Sequence, residues 1–275
     1  MTEQEVDVPS SSAIRFGEEL RKSRRAKGWS QTELGRRMGF SNTLVSYVEL
    51  GRRPATRNFA VAADTALKTP ETFYLLWRTV ARAALLEGFT EFAEAEARCR
   101  QWRTFELGVI PGLFQTPAYS AALESASVAR GRITQAQADE RLRFLTGRQR
   151  LLGQKRPPKI HAVMDESCLT SMVGGPQVMA EQLRHIEALV EHAHITVQVA
   201  PASLGEHRVF LLPVVLLTQA DRSVIAYAES QLRGQLERDR RAVAVWEDDY
   251  DHLQREAPSE RVSLEMIRAV RRDLE

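Results

Sequence analysis

Residues 40–54 read FSNTLVSYVELGRRP, an amphipathic run that opens on a serine and closes on Gly51, two arginines and a proline. On a helical wheel Leu44, Val45 and Val48 fall within about 100° of one another and face a core. Asn42, Thr43, Ser46, Tyr47 and Leu50 fill the opposite arc. That arc either meets water or lies against a partner, and the flanking sequence decides between the two.

Upstream, Ser30 is a good N-cap with Glu33 three residues on, the capping-box pattern. It opens a helix from Gln31 to Met38 whose Leu34 and Met38 make an i, i+4 apolar pair. Gly39 stops that helix and Ser41 caps the next, which ends at Gly51. A turn as short as Gly39-Phe40-Ser41 sets two helices at the angle that inserts the second into a DNA major groove. A further helix precedes the pair, from Phe16 to Lys27. Two follow: Thr56 caps one through Leu67, and Thr69-Pro70-Glu71 supplies cap, proline and early acid for one to about Glu87. In this frame Ser41, Asn42, Thr43, Ser46 and Tyr47 carry donors and acceptors that reach base edges or phosphates. Gln31, at a helix N-terminus, is placed for a phosphate. Arg52, Arg53 and Arg57 supply backbone charge that is blind to sequence. Any solvent-facing helix also carries Ser, Thr and Asn, so Ser46 and Leu50 are equally well explained by exposure.

Charge is unevenly spread. The chain has 275 residues and a formal net charge of +2, yet residues 13–68 hold 12 Arg/Lys against 5 Asp/Glu. The remainder is slightly acidic. A basic block on a near-neutral body is the electrostatic footprint of a nucleic-acid-binding head, although a solvated basic face gives the same composition. The longest apolar run, VFLLPVVLL at 209–217, is broken by Pro213, which argues against a membrane span. MTEQEVDVPSSS at 1–12 reads as a disordered tail without a basic-then-apolar signal pattern, so a cytoplasmic protein is expected. Cys99 and Cys168, without any CxxC, read as buried reduced thiols.

Beyond the head, a helix is expected over 91–102, capped by Thr90, and residues 69–104 read as connecting helices. GVIPGLFQTPAY (108–119) is a turn segment leading into a helix to about Val128, and an Arg-rich helix follows at 134–152. KIHAVMDE (159–166), ITVQVAP (195–201), VFLLPVVLLTQ (209–219) and SVIAYAES (223–230) are β-branched-rich and turn-bounded, hence strands. GGPQVMAEQLRHIEALVEHA (174–193) is an amphipathic helix, and the chain from about 231 reads as helical. The fold class is therefore an all-α, five-helix helix-turn-helix N-terminal domain, its DNA-binding part bounded at 13–68, followed by an α+β domain over 105–275, a small sheet flanked by helices.

LRKSRRAKGWSQTELGRRMGFSNTLVSYVELGRRP (20–54) resembles the phage-repressor, XRE-like type of helix-turn-helix: a basic first helix, the GWSQTELG start of the second, and the ELGRRP close. The resemblance implies a structural ion pair between Arg24 and Glu49, a core of Trp29, Leu34, Met38, Val45 and Val48, a phosphate contact from Gln31, and a recognition face of Asn42, Thr43, Ser46 and Tyr47. Tyr47 and Leu50 depart from the residues common at those places, so base preference does not carry over. VIPGLFQTPAY, VMDESCL, VGGPQVMAEQLRHI, ITVQVAPASLGEH and VIAYAES resemble, in that order, the C-terminal domain of antitoxin-like XRE regulators of actinobacteria. This implies a ligand- or partner-sensing or dimerising module, often encoded beside a small partner protein. Gln115 and Thr116 are pocket candidates by the same resemblance, and N-capping explains them as readily.

Catalysis finds little support. Asp165, Glu166 and Glu229 at strand ends are carboxylates of the kind that pair in acid–base or metal sites, but strand-flanking and capping roles account for them. His185, His192 and His194 make a loose cluster with poor metal-ligand spacing. No GxSxG, HExxH, P-loop or GxGxxG occurs. The expectation is a non-enzymatic, homodimeric transcriptional regulator that binds double-stranded DNA with helix 41–50 and needs no cofactor. The alternative is a protein-interaction module whose C-terminal domain binds a small partner, DNA binding being secondary.

Overall fold

The computed structural model describes residues 11–53, 55–82, 85, 88–230 and 233–275. It divides into two units, residues 1–84 and 85–275. Among the described residues no helix is long and apolar enough to cross a membrane.

The first unit is built of α1 (Ser11–Ala26), α2 (Gln31–Met38), α3 (Asn42–Glu49), α4 (Arg57–Leu67) and α5 (Thr72–Arg82). One apolar cluster joins them, with Phe16 and Leu20 of α1, Leu34 of α2, Val45 and Val48 of α3, and Phe59 of α4 all nearly inaccessible. Each such side chain contributes roughly 1.5–3 kcal/mol when removed from water. Helix α1 starts five residues before Phe16, so Ser11 and Ser12 leave the tail expected to be disordered; residues 1–10 lie outside the described residues. The start of α5 also differs from expectation. Thr69 does not cap it: its hydroxyl donates to Asp64 of α4 at 2.6 Å, and the same carboxylate accepts from the Phe73 and Tyr74 amides at 2.9 and 2.8 Å. A carboxylate from the preceding helix thus satisfies the orphan N–H groups of α5 at the end where its dipole favours negative charge. Of the stretch expected to stay helical to Glu87, residues 83, 84, 86 and 87 lie outside the described residues.

The second unit is a mixed six-stranded sheet in the order β3-β2-β1-β4-β5-β6. Its strands are β1 (Gln101–Glu106), β2 (Lys159–Asp165), β3 (Ile195–Ala200), β4 (Val214–Thr218), β5 (Val224–Glu229) and β6 (Gly234–Glu237). β1, β2 and β3 are parallel; β4, β5 and β6 continue antiparallel. Helices α6 (Phe89–Glu96), α7 (Pro117–Ala129), α8 (Gln135–Gln149), α9 (Ser167–Thr170), α10 (Pro176–Leu189), α11 (Arg240–Glu256) and α12 (Glu260–Leu274) cover it. Side chains alternate between the faces as strand geometry requires. Trp102, Ile160, Ala162, Val215 and Leu217 join α6, α7, α10 and α12 in one core. Phe105, Val163, Val214 and Leu216 face Val243, Tyr250 and Leu253 of α11 in the other.

Three strands depart from the sequence reading; of the one expected over 209–219 only Val214–Thr218 is strand, beginning just after Pro213, which has no N–H for the ladder. The helix expected over 91–102 ends at Glu96, with Gly88 rather than Thr90 at its N-cap, and the chain then enters β1. β1 is hidden in the sequence because Arg103 and Thr104 lie inside. Arg103 reaches Glu247 at 2.6 Å and Asp251 at 3.0 Å on α11, and Thr104 donates to the Val214 carbonyl at 2.9 Å. The segment after residues 231–232, expected to be helical, is β6; helix α11 starts only at Arg240, capped by Asp239.

Candidate nucleic-acid interface

Helices α2 and α3 are held by local chemistry. Ser30 accepts from the Glu33 amide at 3.1 Å and Ser41 from the Leu44 amide at 3.2 Å. The capping box is only half made, since the Glu33 carboxylate turns to Arg36 and Arg37 instead of back to the cap. Gly39, at φ 75°, ends α2 in the left-handed conformation that favours glycine. A side chain at Gly35 would bring its Cβ to 2.6 Å from the Phe40 carbonyl oxygen, so the turn folds back on α2 only because nothing is there.

Beneath α3 lies a buried polar knot. Arg24 donates through Nε and Nη2 to the two carboxylate oxygens of Glu49 at 2.6 and 2.9 Å, and through Nη1 to the Trp29 carbonyl at 2.7 Å. Gln31 adds an amide N–H to Glu49 at 2.8 Å, and Arg21 donates to the Glu49 carbonyl at 3.2 Å. Burial alone would raise the Glu49 pKa. The hydrogen bonds from Arg24 and Gln31 and the charges of Arg24 and Arg21 outweigh it, and the carboxyl titrates below its ordinary range. The last turn of α3 is thereby anchored to α1 and to the start of α2.

What remains outside is a continuous polar arc. Ser41, Asn42, Thr43 and Tyr47 are exposed and Ser46 half-exposed, while Val45, Val48 and Glu49 are buried. Tyr47 is 45% and Leu50 43% exposed, large side chains left standing off the surface. Arg52 and Arg53 extend the arc, and no acid pairs with either among the described residues. Arg57 lies over the Tyr74 ring at 5.7 Å. Gln31 is turned inward, which its sequence position did not foretell: one of its two amide hydrogens serves Glu49, leaving the other for an outside acceptor.

In the second unit the carboxylates singled out above have separate tasks. Asp165 holds Ser167 and Arg208, and Glu166 accepts from the Ala202 amide at 2.8 Å. Glu229 takes a hydrogen bond from Tyr227 at 2.8 Å. Thr116 caps α7, accepting from the Tyr119 amide at 3.2 Å, and Gln115 donates to the Ile110 carbonyl at 2.8 Å. The rings of His192 and His194 are 5.7 Å apart. Among the described residues no group of three or more His, Cys, Asp or Glu is arranged to hold a metal ion.

A cavity of about 600 Å³ lies in the second unit, among α6, α7, α8 and one face of the sheet. Phe89, Phe92, Trp102, Phe144 and Tyr227 line it, with Glu106, Glu229 and Arg148. These residues come from separate segments and no spacing rule connects them, so the site is invisible to a reading of the sequence.

The first unit defines a helix-turn-helix domain: residues 15–72 match the family model described as "Helix-turn-helix domain", a class of fold that serves DNA binding. Residues 89–269 match the model described as "Domain of unknown function (DUF5753)", and the chain belongs to that family. No curated protein and no solved structure matches the chain.

Proposed function

We propose that the protein is a sequence-specific, DNA-binding transcriptional regulator of the XRE-like type. It acts in the cytoplasm as a homodimer, an antitoxin-like regulator that joins a DNA-reading head to a ligand- or partner-sensing domain. The observation that carries this reading is the outer arc of α3, polar from Ser41 to Tyr47, fixed from beneath by the Arg24–Glu49–Gln31 knot and continued by Arg52 and Arg53. In this reading α3 lies in the major groove. Asn42, Thr43, Ser46 and Tyr47 meet base edges, and Ser41, Gln31, Arg52 and Arg53 meet phosphates. Two heads read half-sites roughly 34 Å apart.

The test is fluorescence anisotropy of the full chain on DNA from upstream of its own gene, beside a scrambled duplex. A side chain well fitted to a base edge is worth about 1–3 kcal/mol of discrimination. The Asn42→Ala/Thr43→Ala/Tyr47→Ala variant should therefore lose at least about a hundredfold on the specific site and little on the scrambled one. Equal binding by the variant and the natural protein would overturn the assignment of α3.

A partner-binding role for the second unit has its own support. Leu211 and Leu212, just before β4, are 79% and 57% exposed, an unusual placement for two adjacent leucines. A tagged protein should co-purify with the product of the adjacent gene. Failure to enrich that neighbour counts against this role and leaves the DNA reading untouched.

A further inference from the structure

The cavity of the second unit has the volume of a small-molecule site, where pockets run roughly 300–1,000 Å³. Its aromatic side is tightly built. Phe92 stacks on Tyr227 with ring centroids 4.1 Å apart, and Phe89 sits 5.5 Å from Phe92 and 5.9 Å from Phe144.

Its charge is unbalanced. Arg148 is matched by Glu96 through Nε and Nη2 at 2.7 and 2.8 Å, and its guanidinium lies 4.9 Å from the Phe89 ring centre. Arg141 and Glu124 also border the space and pair with each other at 3.4 Å. Glu106, at the end of β1, and Glu229, at the end of β5, face the same space, and neither has an ion-pair partner among the described residues. Glu229 accepts from the Tyr227 hydroxyl. Three carboxylates, Glu96, Glu106 and Glu229, therefore surround Arg148. An anion entering this space would be repelled by Glu229, and by Glu106 as well once it is ionised, with Arg148 already committed. A neutral guest would leave the imbalance as it is.

We propose that this cavity binds a small organic cation, an ammonium group carried on an apolar skeleton, with the charge between Glu106 and Glu229 and the skeleton against the aromatic wall. Aromatic faces and carboxylates together are the chemistry that recognises alkylated ammonium groups.

The protonation of Glu106 follows the same logic. Burial, then the charge of Glu229, pushes its pKa up to about 8, against the pull of Arg148 and the Thr104 hydroxyl. The other groups facing it are Glu96 on α6, Tyr119 and Glu124 on α7, Arg141 on α8 and Cys168 on α9. The Tyr119, Tyr227 and Cys168 pKa values are all raised, so these groups stay neutral as Glu106 titrates. A bound cation favours the ionised carboxylate and expels its proton. This inference does not depend on the DNA reading, and its test needs no DNA.

The probe is benzyltrimethylammonium, whose charge does not titrate, added to the full-length protein in a calorimeter. Benzyl alcohol and benzoate serve as neutral and anionic counterparts. The cation should bind saturably, more tightly than either counterpart, and its affinity should rise by on the order of tenfold between about pH 6 and pH 9 as Glu106 ionises. Glu106→Gln copies the neutral carboxyl and so keeps the fold. It should weaken binding by about tenfold at about pH 9 and abolish the pH dependence. Glu229→Gln should weaken binding at about pH 9, where Glu106 is ionised in either protein, and thermal unfolding of both variants checks that the domain is intact. Absence of saturable binding by the cation would overturn the proposal. So would benzyl alcohol or benzoate binding as tightly, or a Glu106→Gln protein that keeps the natural pH profile.

Discussion

Replacing Arg24 by Met removes the centre of the knot under α3 while keeping a side chain of similar reach. Glu49 is fully buried at its side chain and would lose both charge-assisted hydrogen bonds from Arg24, keeping Gln31 at 2.8 Å and the partly exposed Arg21 at 3.6 Å. Breaking a buried pair from one side costs about 3–5 kcal/mol, and the two surviving partners place this case at the lower end, about 3 kcal/mol. At roughly 0.05–0.15 kcal/mol per residue, a unit of about 70 residues is worth about 4–10 kcal/mol, so the loss is a large part of the whole. Hydrogen exchange followed by mass spectrometry isolates the effect, because peptides spanning 40–53 report on this unit alone. Their protected amides should exchange about a hundredfold faster in Arg24→Met. Arg24→Met/Glu49→Met, which removes both charges, should recover most of the protection, since two apolar groups of that shape leave no stranded carboxylate. Because the Glu49 pKa is lowered in the folded state, its contribution is complete above the unfolded carboxyl value of about 4.3 and fades as pH falls through the folded value. The natural protein should therefore lose protection of α3 in acid, and the double variant should not show that decline. A single variant within about threefold of the natural rate, or a double variant no better than the single, would refute the reasoning.

Three further outcomes are expected. Gly35→Ala pushes a methyl carbon to 2.6 Å from the Phe40 carbonyl oxygen, where backbone on both sides must move; the first unit should lose about 2 kcal/mol or more, read as a lowered urea midpoint. Arg52→Ala with Arg53→Ala should weaken binding to specific and scrambled duplexes alike, and the slope of log affinity against log salt should shrink by about 1 for each phosphate no longer neutralised. Glu106→Gln should raise the melting temperature at about pH 8 and leave it nearly unchanged at about pH 4. The Glu106 pKa is raised in the fold, so ionisation penalises only the natural protein, increasingly from the unfolded value of about 4.3 up to about 8.

What the sequence discloses and what it hides divide along the range of the interactions. Ser30, Ser41 and Thr56 accept from amides three residues on, and Gly39 donates its N–H to the Gly35 carbonyl four residues back, so the helices they bound are legible from a short window. The outer arc of α3 is legible for the same reason, because a wheel needs only eight residues. β1 is not, since its buried Arg103 is matched by Glu247 and Asp251 on a helix nearly 150 residues later in the chain. Asp64 capping α5 and Gln31 turning to Glu49 are tertiary choices between partners that local propensity treats as equivalent. The cavity is the extreme case: Phe92, Glu106, Arg148 and Tyr227 become neighbours only when a helix, two strands and another helix have met.

Within α3 the residues that hold the helix and those that face outward are different residues. Val45, Val48 and Glu49 meet the interior, while Asn42, Thr43 and Tyr47 touch little of the protein and Ser46 stands between. The outer positions can therefore change identity at small cost to the fold, whereas the inner ones cannot. A scaffold divided in this way can diversify its surface by point substitution, one position at a time, without passing through an unfolded intermediate sequence. On the proposed reading, exchanging residues 42, 43, 46 and 47 as a set would move such a lineage to a new target.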